Sequence, residues 1–127
     1  MRALVIDDSR AMRSILRGIL ADLGFEVGEA ADGREAMALL DRDPVFDLAL
    51  VDWNLPEMSG LEIVTSVRRD PRFAGLKLLM VTTETELQRV VQALEAGADE
   101  YIMKPFDRDM LVEKLVILGV PVETTRV

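Results

Sequence analysis

Polar residues able to do chemistry stand where apolar runs end: Asp7-Asp8 after Ala3–Ile6, Asp52 after Leu48–Val51, Thr82 after Leu76–Val81, and Lys104 after Tyr101–Met103. If those ends share one rim, three carboxylates lie close together, repel one another and call for a cation. Mg²⁺ suits an all-oxygen site, since it takes about six oxygen ligands from carboxylates, waters and phosphate. The same ion offsets charge on a transferring phosphoryl group. A carboxylate such as Asp52 can attack phosphorus and form an acyl phosphate. Lys104 would pair with a phosphoryl oxygen as a point charge. Thr82 would donate a hydroxyl hydrogen bond to another, so that metal, ammonium and hydroxyl share the developing charge.

The composition removes other chemistries. The chain has neither histidine nor cysteine. That excludes a Ser-His-Asp triad, a resident phosphohistidine, thiolate zinc sites and disulfides. Any metal would have oxygen ligands, which favours Mg²⁺, Ca²⁺ or Mn²⁺ over Zn²⁺. The formal net charge of −8 argues against direct binding of nucleic acid or anionic membrane, and Arg68-Arg69 is the longest basic run. No apolar stretch approaches the ~20 residues of a membrane span. Met1-Arg2 leads straight into a patterned strand with no signal-peptide layout, so a cytoplasmic location is expected. At 127 residues, half of them apolar, the chain is one domain with a real core.

The elements that must position these residues follow from periodicity. Ala3–Ile6 predicts β1. Met12, Ile15, Leu16, Ile19, Leu20 and Leu23 recur with helical spacing and predict α1, stopped by Gly24. Residues 25–30 predict β2, and Asp32 caps α2, with Ala36, Leu39 and Leu40 inward. Leu48–Val51, apolar throughout, predicts a central β3 covered on both faces. Ser59-Gly60 opens α3, carried by Leu61, Val64 and Val67 and ended before Pro71. Leu76–Val81 predicts β4. Thr83 or Thr85 caps α4, with Leu87, Val90, Val91 and Leu94 in its stripe, and Gly97 ends it. Tyr101–Met103 predicts β5. Asp107 caps α5, which carries Leu111, Leu115 and Leu118. Residues 1–118 are expected to form the domain and 119–127 a tail. Such βα alternation points to a doubly wound, flavodoxin-like parallel sheet of order 2-1-3-4-5, a three-layer αβα fold. Ligands in such sheets bind outside the carboxyl ends of the strands, at the switch point between β1 and β3.

Each residue alone has a plainer role. Asp8-Ser9 can be a helix cap. Asp52 can simply end a strand before the turn formers Asn54 and Pro56. Lys104 can be a solvated charge, Thr82 a β-branched strand residue, and Tyr101 half-buried packing. The joint pattern is what packing rules do not ask for: acid pair, acid, hydroxyl and lysine closing β1, β3, β4 and β5 in turn.

Four stretches also carry a family likeness. Asp7-Asp8 after a strand, Val51-Asp52-Trp53-Asn54-Leu55-Pro56-Glu57-Met58-Ser59-Gly60, Met80-Val81-Thr82-Thr83-Glu84, and Ala96-Gly97-Ala98-Asp99-Glu100-Tyr101-Ile102-Met103-Lys104-Pro105-Phe106 resemble the receiver domain of two-component response regulators. The resemblance runs from Ala3 to about Leu118 and is nearest to the stand-alone chemotaxis regulators. It implies a phosphorylated Asp52. It implies Mg²⁺ held by Asp8 directly, by Asp7 largely through water, by Asp52 and by the Asn54 carbonyl. Thr82 and Lys104 would engage the phosphoryl group, and the Lys104-Pro105 bond would be cis. Thr82 and Tyr101 would form a switch that reshapes α4-β5-α5 for a downstream target protein. Asn54 and Glu84 would tune dephosphorylation and make the phosphoaspartate short-lived. The phosphoryl donor would be a histidine kinase or histidine phosphotransfer protein. The chain would be no turnover enzyme, performing only self-phosphotransfer and autodephosphorylation, as a monomer or a phosphorylation-dependent dimer. Thr83 stands where the family has a smaller residue and Ser59 where aspartate is common.

Rival readings lack their residues. A haloacid-dehalogenase-type hydrolase needs a second acid where Ser9 stands, a Toprim site needs one where Asn54 stands, and a flavodoxin needs a hydroxyl- and glycine-rich loop where Asp8-Ser9-Arg10-Ala11 stands. No G-x-x-x-x-G-K-[ST] occurs. Two alternatives keep the fold: an interaction module that works without phosphorylation, and the receiver of a larger regulator cut before its output domain.

Overall fold

In a computed structural model the apolar runs pair into a five-stranded, all-parallel sheet of order β2-β1-β3-β4-β5, as the pattern predicts. The structure describes residues 1–43, 45–83 and 87–122, and of Leu87 only the backbone. The elements are β1 (Arg2–Ile6), α1 (Arg10–Asp22), β2 (Glu26–Ala30), α2 (Gly33–Arg42), β3 (Leu48–Asp52), α3 (Gly60–Arg69), β4 (Lys77–Thr83), α4 (Leu87–Ala96), β5 (Glu100–Lys104) and α5 (Arg108–Ile117), with a short 3₁₀ turn at Pro71–Phe73. Thr83 therefore belongs to β4 rather than capping α4. Glu84, Thr85, Glu86 and residues 123–127 lie outside the described residues.

Strand side chains alternate between two buried layers, as the period of two demands. In β3, Ala49 and Val51 face the layer under α2, α3 and α4, while Leu48 and Leu50 face the layer under α1 and α5. All five β3 residues are buried, so this strand is the spine of the sheet. Helix starts follow the sequence signals: Asp32, Ser59 and Asp107 each accept a hydrogen bond from the backbone N–H three residues on. Ser59 and Glu62 complete a capping box.

Three helical stripes differ from the predicted ones. In α1, Leu16, Leu20 and Leu23 are buried but Ile15 is 58% exposed. In α3, Ile63 joins Val64 and Val67 inside and Leu61 is only partly covered. In α4, Val90 and Ala93 face the core while Val91 and Leu94 face outward. Ala93 lies inward there, in the layer that α4 shares with α3 and the sheet. Just beyond α5, Val120 returns to the core. Gly119 adopts a left-handed φ of 76°, and the Val120 N–H bonds the Leu115 carbonyl at 3.0 Å, which buries Val120.

Arg68, legible in the sequence only as part of a basic pair, ties the α3 side of the sheet together. Its guanidinium donates to the carbonyls of Gly97 (2.8 Å), Phe73 (3.0 Å) and Leu76 (2.8 Å), and to Asp99 Oδ2 (2.7 Å). Asp99 Oδ2 also accepts from the Leu78 N–H at 2.8 Å. Gly97 sits at φ 122° against this arm, and a Cβ there would lie 2.5 Å from Arg68 Cγ. Replacing Arg68 by alanine leaves these acceptors without their donor and should lower unfolding stability by about 2–4 kcal/mol. Urea denaturation with an unchanged m-value checks this, and Arg68→Lys should recover little of the loss because one ammonium cannot span the set.

Candidate functional site

The register places the candidate residues on one rim. Ile6 pairs with Val51, so Asp7 and Asp52 leave neighbouring strands at the same level. Asp52 pairs with Val81, and Thr83 with Lys104, which carries Thr82 and Lys104 to the same end. Asp7 and Asp52 are buried, and Asp8 is exposed beside them. One carboxylate oxygen from each of Asp7, Asp8 and Asp52 lies within 4.8 Å of the others. Lys104 Nζ stands 3.6 Å from Asp7 Oδ2 and 3.7 Å from Asp52 Oδ1.

Local folding explains how each acid is presented. Ser9, not Asp8, is the N-cap of α1: its Oγ accepts from the Met12 N–H at 3.2 Å. That leaves the Asp8 carboxylate out of the cap and available to the cluster. The Ser9 N–H donates to Asp7 Oδ1 at 2.8 Å. The Asp7 N–H bonds the Ala30 carbonyl, and Arg13 Nη1 donates to the Asp7 carbonyl at 2.7 Å. Arg13, which also donates from Nε to Glu29 Oε1 at 3.3 Å, is a residue that the sequence pattern does not single out, because its partners are a main-chain carbonyl six residues back and a side chain on β2.

On the β3 side, the Trp53 N–H bonds the Val81 carbonyl and the Gly60 N–H bonds the Trp53 carbonyl. A Cβ on Gly60 would sit 2.8 Å from the Asp52 carbonyl oxygen, so only glycine lets α3 begin this close to the acid. The Asn54 N–H reaches Asp52 Oδ1 at 3.4 Å. The Lys104-Pro105 bond is cis, as expected. Thr82 is buried at the rim, and Tyr101 is half-buried further down β5, opposite Met80. Glu84 lies outside the described residues.

The electrostatics suit a cation. Burial pushes the Asp52 carboxyl up to about 6, and the negative charges of Asp7 and Asp8 add to that, against the pull of Lys104 and the Asn54 N–H. Asp7 Oδ2 is buried with no hydrogen-bond partner among the described residues. One ammonium thus serves two buried acids, with Asp8 as a third anion alongside. The donor set is all oxygen, and a hard divalent ion such as Mg²⁺ fits it.

The sequence model of a family described as the response regulator receiver domain matches residues 3–116. The chain is 46% identical to the chemotaxis protein CheY1 of Helicobacter pylori, over 94% of this chain and 98% of that one. It is 40% identical to the chemotaxis protein CheY of Pseudomonas aeruginosa, over 91% of this chain and 93% of the relative. Among solved structures, the chemotaxis protein CheY4 of Vibrio cholerae superposes with a TM-score of 0.84 at 36% identity, over 91% of this chain and 96% of that one.

A carboxylate that ionises harder in the fold than in the unfolded chain costs stability when charged. The folded Asp52 value lies above its ordinary 3.8, so the cost is absent below pH 3.8 and grows as pH rises toward about 6. Without divalent ions, Asp52→Asn should therefore be more stable than wild type at pH 7.5, by roughly 1–3 kcal/mol, and the advantage should vanish near pH 3.5. Denaturant titrations of both proteins across that range check the sign.

Proposed function

Because the chain belongs to the response regulator receiver family, as a CheY-like receiver of two-component signalling, we propose that it accepts a phosphoryl group from a phosphohistidine onto Asp52 and then presents an altered α4-β5-α5 face to a target protein. The observation that carries this reading is the convergence of Asp7, Asp8 and Asp52 with Lys104 at the carboxyl ends of the strands.

Asp7, Asp8 and Asp52, with the main-chain carbonyl of Asn54, would hold Mg²⁺. When bound, that ion neutralises the clustered carboxylates and stabilises charge on phosphoryl oxygens as a Lewis acid. The chain's own residues do the rest. An Asp52 carboxylate oxygen attacks phosphorus, the phosphorus–nitrogen bond breaks, and the imidazole leaves with the donor protein. The donor is a histidine kinase or histidine phosphotransfer protein, because this chain has no histidine. An open apolar groove of about 460 Å³, lined by Met12, Ile15, Ile19, Pro105 and Phe106, runs beside Lys104 and offers that donor a surface to press against.

Lys104 exchanges its carboxylate partners for the new phosphoryl oxygens. Thr82 turns its hydroxyl toward them, and Tyr101 turns inward as Thr82 moves, which reshapes α4-β5-α5. Asn54, beside Asp52, and Glu84, by its match to the family pattern, make the acyl phosphate short-lived. No further substrate is turned over, so the chain is a phosphoacceptor and not an enzyme in the ordinary sense. Among the described residues no helix is long and apolar enough to cross a membrane. We read the site of action as the cytoplasm, where the donor would present its phosphohistidine.

The only tryptophan, Trp53, is buried next to Asp52 and reports on the site. Its emission should change on adding Mg²⁺ and change again on adding beryllofluoride, a phosphoryl mimic, with the second step requiring the first. Asp8→Ala should weaken the Mg²⁺ step at least about tenfold, and Asp52→Asn should abolish the response to beryllofluoride. A wild-type chain silent to both additions would refute the reading.

A further inference from the structure

β5 is one of the two outer strands of the sheet, and its side chains carry an arrangement that phosphoryl chemistry does not use. Glu100 Oε1 accepts from the Tyr101 N–H at 3.0 Å, which blunts the free strand edge. The same oxygen stands 3.4 Å from Lys114 Nζ on α5. That ammonium in turn lies over the Tyr101 ring, 4.6 Å from its centroid. Neither charged side chain is widely solvated, at 24% exposure for Lys114 and 20% for Glu100. The ring is therefore held from the α5 side while it packs against the layer under α2, α3 and α4.

An ammonium over an aromatic face is attracted by the ring's quadrupole, more strongly where water is partly excluded. Left free, a lysine side chain would lose much of that gain to its own rotamer entropy. Here Glu100 fixes the ammonium in place. A ring that moves away forfeits the contact, so the contact favours whichever placement keeps it.

We propose that Lys114, held by Glu100, is a positioning residue that biases Tyr101 toward its half-exposed placement and so sets how readily the phosphoryl site switches the α4-β5-α5 face. This rests on the reading that Tyr101 turns inward when the site is filled. The switch then has a threshold set at the sheet edge, independent of the groups that touch the phosphoryl oxygens.

The test is beryllofluoride affinity at saturating Mg²⁺, read by Trp53 emission. Lys114→Met keeps the length of the side chain and removes its charge. It should tighten binding by about two- to fivefold, the size a partly exposed cation–π contact supports. Glu100→Gln should shift affinity in the same direction by less, and Lys114→Arg should restore the wild-type value. In a Tyr101→Leu background the effect of Lys114→Met should disappear. Tyr101 is the only tyrosine, so ¹³C-labelled tyrosine gives ring signals of this residue alone. In ligand-free Lys114→Met those signals should move toward the wild-type beryllofluoride-bound positions. Unchanged or weaker binding in Lys114→Met, or an equal shift in the Tyr101→Leu background, overturns the inference while leaving the phosphoryl site intact. A wild-type chain that binds no beryllofluoride instead removes the functional reading and this inference with it.

Discussion

Three carboxylates share a space in which their oxygens lie within 4.8 Å of one another, and a single ammonium stands between two of them. Two like charges about 4 Å apart repel by about 4 kcal/mol at an effective dielectric of ~20. Lys104 offsets part of this, and burial, with the remaining repulsion from Asp7 and Asp8 added to it, raises the Asp52 carboxyl to about 6. The repulsion is relieved by a cation or a proton, and at neutral pH the cation is the effective remedy. The chain spends folding stability to keep a site prepared for charge.

The scaffold exists to hold that repulsion in place. β1 and β3 are neighbouring interior strands, paired from Ala3–Leu48 to Ile6–Val51 and buried over that stretch, which holds their carboxyl ends side by side. Ser9 ends the β1 turn by capping α1, and Gly60 lets α3 begin against the Asp52 carbonyl. β4 and β5 then bring Thr82 and Lys104 to the same rim. Because β5 also carries Tyr101, it joins the charged rim at one end to the face made with α4 and α5 along its length. In the proposed switch, a change in charge at the rim would reach that face along this one strand.

Most of this architecture is legible in the amino-acid sequence, for identifiable reasons. Strand order and the location of the site follow from βα alternation and from the rule that ligands sit at strand carboxyl ends. The caps at Asp32, Ser59 and Asp107 are local signals, and each stands where its residue type predicts it. The features that escape a reading of the sequence depend on long-range partners. Arg68 looks like a surface charge until Phe73, Leu76, Gly97 and Asp99 are brought around it. Arg13 becomes important because the Asp7 carbonyl and Glu29 face it. In α4 the periodic residues Val91 and Leu94 point outward and Ala93 inward, since contact with α3 decides the stripe and periodicity cannot see α3. Lys114 is well separated along the chain from Glu100 and Tyr101, and nothing local pairs them.

The most direct test of the central claim is the intact mass of the chain after incubation with Mg²⁺ and acetyl phosphate, a donor that needs no partner protein. The account predicts the gain of one phosphoryl group, lost on removing Mg²⁺ or in Asp52→Asn. Borohydride trapping, which reduces an acyl phosphate to the alcohol, should place the modification on Asp52. A chain that gains no mass, or one whose Asp52→Asn variant is modified equally well, would contradict it.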